Sequence, residues 1–142
     1  MTDYVKIYSA SFDSSQDIPY FDGEIRAGFP SPAEDFVARS IDLNKEFIKN
    51  PSATFFGRVS GDSMQDVGIH DGDLLIIDKS LEPQNGKIAV CFIDGEFTVK
   101  QIEMREGGFF LVPANSKFKP LQVTEDNDFI VWGIVVHVIK SF

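Results

Sequence analysis

Cysteine is almost absent from this chain, with Cys91 the only one in 142 residues. A lone cysteine rules out an internal disulfide and fits a reducing compartment. Histidine is nearly as scarce. His70 and His137 stand far apart, with no second histidine or cysteine at ligand spacing, so no zinc site is expected. Basic residues are in deficit, 13 Lys and Arg against 22 Asp and Glu, for a net charge of −9. Such a chain lacks the clustered positive charge that neutralises a phosphate backbone, so direct DNA binding is not expected. No apolar run approaches the roughly 18 residues of a membrane span, and no basic segment followed by an apolar one opens the chain. A glycine-rich phosphate loop is also missing. These absences point to a cytoplasmic protein with no membrane contact, no metal and no cofactor.

Material for a core is plentiful. The chain is 43% hydrophobic and carries fourteen Phe, and its length suits one domain. Residues 1–30 mix polar residues, glycine, proline and isolated aromatics without a helical period, which reads as an extended arm. Ser31, Pro32 and Glu34 form a capping-box pattern with proline at the first helical position, opening a short helix that Phe36, Val37 and Ser40 would complete. A second amphipathic piece runs from Asp42 to Lys49 and stops at Pro51.

From Ala53 onward the pattern is β. Strands are expected over 54–59, 74–78, 87–93, 96–104, 109–112 and 129–139, with a weaker one at 121–123. Turn chemistry lies between them at Asp71-Gly72-Asp73, Gln84-Asn85-Gly86, Asp94-Gly95 and Glu106-Gly107-Gly108. Asp94-Gly95 between two strand patterns marks a two-residue hairpin. Its register puts Phe97 and Val99 on one face and Glu96, Thr98 and Lys100 on the other. Cys91, within an apolar run, reads as a buried structural thiol, and Trp132 as a core or interface residue. The aspartates at 62, 66, 71, 73 and 78 do not follow the calcium-loop spacing and read as turn formers.

One pairing could carry chemistry. Ser63 sits in Ser60-Gly61-Asp62-Ser63-Met64, where a strand breaks into a glycine-bearing turn, and Lys100 ends the run Glu96-Phe97-Thr98-Val99-Lys100. A serine hydroxyl attacks only when a neighbouring base takes its proton. A lysine serves as that base only when burial lowers its pKa enough to leave it neutral. Neither half is distinctive alone, because serines in Gly-Asp turns are commonplace and strand-end lysines mostly face water. A Ser/His/Asp triad would need His70 or His137 beside Ser63, and nothing in the sequence favours it over Lys100.

A resemblance adds weight to the pair. The block Ser60 to Asp73 with Leu74-Leu75-Ile76, then Asp94 to Lys100, Pro113-Ala114-Asn115-Ser116 and Gly133 to Ile139, resembles the self-cleaving Ser/Lys peptidases of the LexA family. Gly28-Phe29-Pro30-Ser31-Pro32-Ala33, Ile41-Asp42-Leu43-Asn44 and Pro51-Ser52-Ala53-Thr54 are similar to its UmuD-like branch rather than to its repressors. That branch consists of accessory proteins of SOS-induced translesion polymerases.

The resemblance implies a mainly β fold, a LexA/signal-peptidase-like catalytic β domain over 31–142 with an extended N-terminal arm over 1–30 and one or two short helices. It implies Ser63 as nucleophile, Lys100 as general base, and the backbone amides of Ser63 and Asp62 as oxyanion donors. The substrate would be the chain's own arm, cut between Ala27 and Gly28. UmuD-like chains often carry cysteine where Ala27 stands, and LexA uses alanine. The chain would be a homodimer before and after cutting, its product joining a UmuC-like translesion polymerase subunit, with a RecA–single-stranded DNA filament activating the cut. The alternative is a LexA-type or phage-type repressor inactivated by the same cleavage. A repressor would carry a helix-turn-helix module ahead of the peptidase domain. Residues 1–30 show no such pattern, and the acidity counts against it.

Overall fold

The computed structural model describes residues 4–12, 17–21 and 38–142. Among them lie ten strands, β1 (Tyr4–Ser9), β2 (Asp17–Phe21), β3 (Ala38–Asp42), β4 (Thr54–Ser60), β5 (Leu74–Asp78), β6 (Ile88–Ile93), β7 (Glu96–Arg105), β8 (Gly108–Val112), β9 (Leu121–Val123) and β10 (Phe129–Ile139). One short helix, α1 (Leu43–Phe47), and two single 3-10 turns complete the described elements. The mainly β class expected from the sequence is the class observed.

Residues up to 10 and from 52 to 142 make one compact unit. Its eight strands form a single sheet in the order β1-β4-β5-β10-β6-β7-β8-β9, antiparallel throughout. β1 also lies against β7, so the sheet curls on itself.

The central strands read as nearly continuous apolar runs because both of their faces are buried. On one face Val90 and Val99 join Val59, Met64, Ile69, Leu75 and Ile77. On the other, Ala89, Cys91, Ile102, Leu111 and Ile134 form a second core. The expected sidedness of β7 therefore holds, with Val99 wholly buried and Phe97 packed against the same cluster. The opposite face of β7 borders a second core rather than open water.

Two local features set the strand that carries Lys100. Asp94 and Gly95 both take positive φ, 48° and 88°. This is the left-handed pair of a tight hairpin whose twist matches its strands. The hairpin pairs Phe92 with Phe97, Val90 with Val99 and Ala89 with Lys100. Gly133 does the second job. β10 shifts register between Val131 and Gly133 against β6, and a Cβ on Gly133 would lie 2.5 Å from Ile77 Cγ2. Glycine there lets β5 approach closely where the long strand bends.

Residues 11–51 form a second compact unit. In it β2 pairs antiparallel with β3, and Asp42 caps α1 by accepting from the Asn44 N–H at 3.0 Å. Here one expectation is corrected. Ser40, expected to complete a helix opened at Ser31, lies in β3 opposite Pro19. Pairing with a distant strand outweighs a local helix signal that serine and isoleucine support only weakly. The cap at Ser31, Pro32 and Glu34, with Phe36 and Val37, lies outside the described residues. The stretch read as an arm, 1–30, contributes two described strands, β1 in the main sheet and β2 here.

Candidate active site

Ser63 is carried by a loop pinned from several sides. β4 ends at Ser60, and Gly61 turns the chain at φ 104°, a value that disfavours any side chain. The Asp71 carboxylate accepts from the Gly61 N–H at 2.9 Å. The Asp66 N–H donates to the Ala114 carbonyl at 2.8 Å. Met64 and Ile69 plug into the core on either side of a short 3-10 turn. Ser63 itself is 1% exposed. A nucleophile held this way loses little entropy on reaching a reactive geometry.

Lys100 arrives from β7, and its Nζ lies 3.0 Å from Ser63 Oγ. The same nitrogen donates to Thr98 Oγ1 at 2.8 Å and to the Val99 carbonyl at 3.1 Å. Thirty-seven residues separate the two side chains, and the sheet brings them together. A neutral amine has two N–H bonds and one lone pair. Once neutral, an amine that donates to Thr98 and Val99 has its lone pair left for the serine hydroxyl. That arrangement can accept a proton from Oγ and return it to a leaving group.

The pair opens on a cleft of about 260 Å³, whose apolar lining includes Ile93, Phe97, Leu111 and Leu121. Glu96, Thr98 and Lys100 line it as well. An extended peptide with small or aliphatic side chains fits such a lining better than a charged ligand.

Two neighbours gained no role from the sequence. Thr98 holds the lysine amine. Asn115, 4% exposed, donates through Nδ2 to the Asp62 carbonyl at 2.9 Å. Both lay within the stretches that carry the resemblance, but a hydrogen bond across 53 residues has no signature in local spacing. The Ser63 and Asp62 amides, expected as oxyanion donors, lie in the pinned loop. Ala27 and Gly28 lie outside the described residues.

The histidines are elsewhere. His70 Nδ1 is 2.9 Å from Lys140 Nζ, and His137 lies on β10 opposite Ile76, so neither lines the cleft. Three of the aspartates serve turns. Besides Asp71, Asp73 accepts from the His70 N–H and pairs with Lys140, and Asp78 accepts from the Ser80 N–H. Trp132 stacks edge-on with Phe55 and Phe97 and carries Lys79 Nζ 4.6 Å above its ring. Among the described residues no helix is long and apolar enough to cross a membrane.

Cys91 is fully buried beside this site. Burial pushes its thiol from 9.0 up to about 12, and the charge of Lys100 pulls weakly the other way. The folded chain therefore keeps the proton that the unfolded chain releases near pH 9. The resulting stability is complete below pH 9 and is lost as pH rises toward 12. An alkylating reagent at pH 8 should leave Cys91 unmodified in the native protein and label it after denaturation, read by intact mass. Rapid native labelling would contradict its burial.

The chain is similar to known proteins. The profile of the S24-like peptidases matches residues 19–136. The MucA protein of Salmonella typhimurium is 43% identical over 121 residues, 84% of this chain and 82% of its own length. The ImpA protein of Shigella flexneri is 40% identical over 139 residues, 97% and 94% of the two chains. The SamA protein of Salmonella typhimurium is 41% identical over 123 residues, 87% of each.

Proposed function

The chain belongs to the S24-like peptidase family, in its UmuD-like branch, and we propose that it cuts its own N-terminal arm between Ala27 and Gly28 with a Ser63–Lys100 dyad. The observation that carries this reading is the 3.0 Å approach of Lys100 Nζ to Ser63 Oγ at the mouth of an apolar cleft.

The arm docks extended in the cleft, held by main-chain hydrogen bonds, with Ala27 and Ile25 turned to the same side and Arg26 to the other. Ser63 Oγ attacks the carbonyl carbon of Ala27 as neutral Lys100 takes the hydroxyl proton. The carbonyl π electrons move onto oxygen, and the loop amides of Ser63 and Asp62 stabilise the resulting oxyanion. When the tetrahedral adduct collapses, the C–N bond breaks and Lys100 returns its proton to the Gly28 nitrogen. Water then enters, gives a proton to Lys100, and hydrolyses the ester to free Ala27 and regenerate Ser63.

Residues 28–142 are the working product, a homodimer that serves as accessory subunit to a UmuC-like translesion polymerase. The exposed Ile130 and the aromatic row around Trp132 are candidates for the dimer contact. A RecA–single-stranded DNA filament is the activator, promoting docking of the arm.

The test is the rate of self-cleavage against pH. A free lysine titrates near roughly 10.4, so the fraction of base grows as pH climbs from 7. Purified protein should cut itself faster with each step from pH 7 to about 10. A flat or falling profile would reject lysine as the base.

A further inference from the structure

We infer that Asn115 is a positioning residue for the oxyanion hole. The inference rests on the Ser63–Lys100 reading and adds the part that fixes where its backbone donor points.

A trans peptide is planar, with its C=O and N–H on opposite sides. The Asp62 carbonyl and the Ser63 N–H belong to one such unit, so holding the first fixes the second. Asn115 Nδ2 holds that carbonyl at 2.9 Å, and the Gln65 N–H shares it at 3.2 Å. The Ser63 N–H must therefore point away from Asn115. Asn115 is itself locked from the other end, because its Oδ1 accepts from the Lys117 N–H at 3.0 Å. Its neighbour Ala114 receives the Asp66 N–H at 2.8 Å, so the 114–117 turn grips the serine loop at two points. On the far side of Ser63, Asp71 grips Gly61.

A buried amide satisfied at both ends could be only a structural staple. What singles this one out is the group it holds. Of the carbonyls in the loop, it takes the one whose orientation sets the direction of the nucleophile's own N–H. An oxyanion donor works by being aimed before charge develops, and a peptide free to rock would lose that advantage.

Asn115→Asp is the discriminating change. It keeps an oxygen to accept from Lys117 N–H and, ionised at alkaline pH, has no donor for Asp62. Self-cleavage should slow roughly 10²–10³-fold, the scale of losing an oxyanion-hole donor. In Asn115→Ala, which introduces no charge near Lys100, the midpoint of the pH profile should stay where it is in the parent, because Lys100 and its two acceptors are untouched. Asn115→Ala, which strands no charge, should show the same loss with a cooperative thermal transition retained. A rate within about threefold of the parent in either folded variant would overturn the role, and so would a loss accompanied by a shifted pH midpoint in Asn115→Ala, which would mean that Asn115 acts on Lys100. Ser63→Ala run in parallel separates the two claims. If Ser63→Ala still cuts, the dyad has failed; if it is dead while both Asn115 variants cut like the parent, only the positioning role has failed.

Discussion

Ser63→Ala and Lys100→Arg are each expected to abolish self-cleavage, a loss on the order of 10⁴-fold or more, the scale seen when a nucleophile or its base is removed. Alanine leaves no oxygen to attack. Arginine keeps its charge at every accessible pH and cannot accept the hydroxyl proton, so alkali should not rescue it. The two losses should not multiply in the double variant, because a nucleophile and its base act as one unit. Ser60→Ala is the control. Ser60 ends β4 opposite Tyr4 and does not line the cleft, so that variant should cut at close to the parent rate. Gel densitometry over time reads all four, and a cooperative melt verifies that each is folded.

Ala27→Trp is expected to be almost as severe, and for a different reason. The dyad requires the residue before the cut to bring its carbonyl carbon to Ser63 Oγ, which is 1% exposed and walled in by its loop. A methyl group permits that approach, whereas an indole would hold the carbonyl back. Small displacements at a reacting centre cost about 10²-fold or more. The variant should resist cleavage from pH 7 to 10 while melting like the parent. Parent-like cutting of Ala27→Trp would mean that scission lies elsewhere in the chain.

Much of the fold could be read in the sequence because its strands obey simple periods. The runs at 54–59, 74–78, 87–93 and 129–139 are dense in β-branched and aromatic residues, with glycine turns between them. Asp94-Gly95 between two strand patterns is a strong hairpin signal, and that hairpin fixed the face of Lys100. Less could be read where distant partners decide. Ser40 lies in a strand because residues 17–21 pair beside it, and no local pattern announces that. The second core behind β7 was hidden because alternation in one strand cannot tell whether its other face meets water or another layer. At the site, Ser63 and Lys100 stand out by residue type, whereas Thr98 and Asn115 act through hydrogen bonds made only on folding.

The most direct measurement is intact-mass spectrometry of the purified chain after alkaline incubation, with Lys100→Arg treated identically. Dyad cleavage requires two fragments from the parent, one ending at Ala27 and one beginning at Gly28, and an unbroken chain from the variant. The same two fragments from Lys100→Arg, with the same pH profile, would contradict the dyad and return His70 and His137 to consideration as the base.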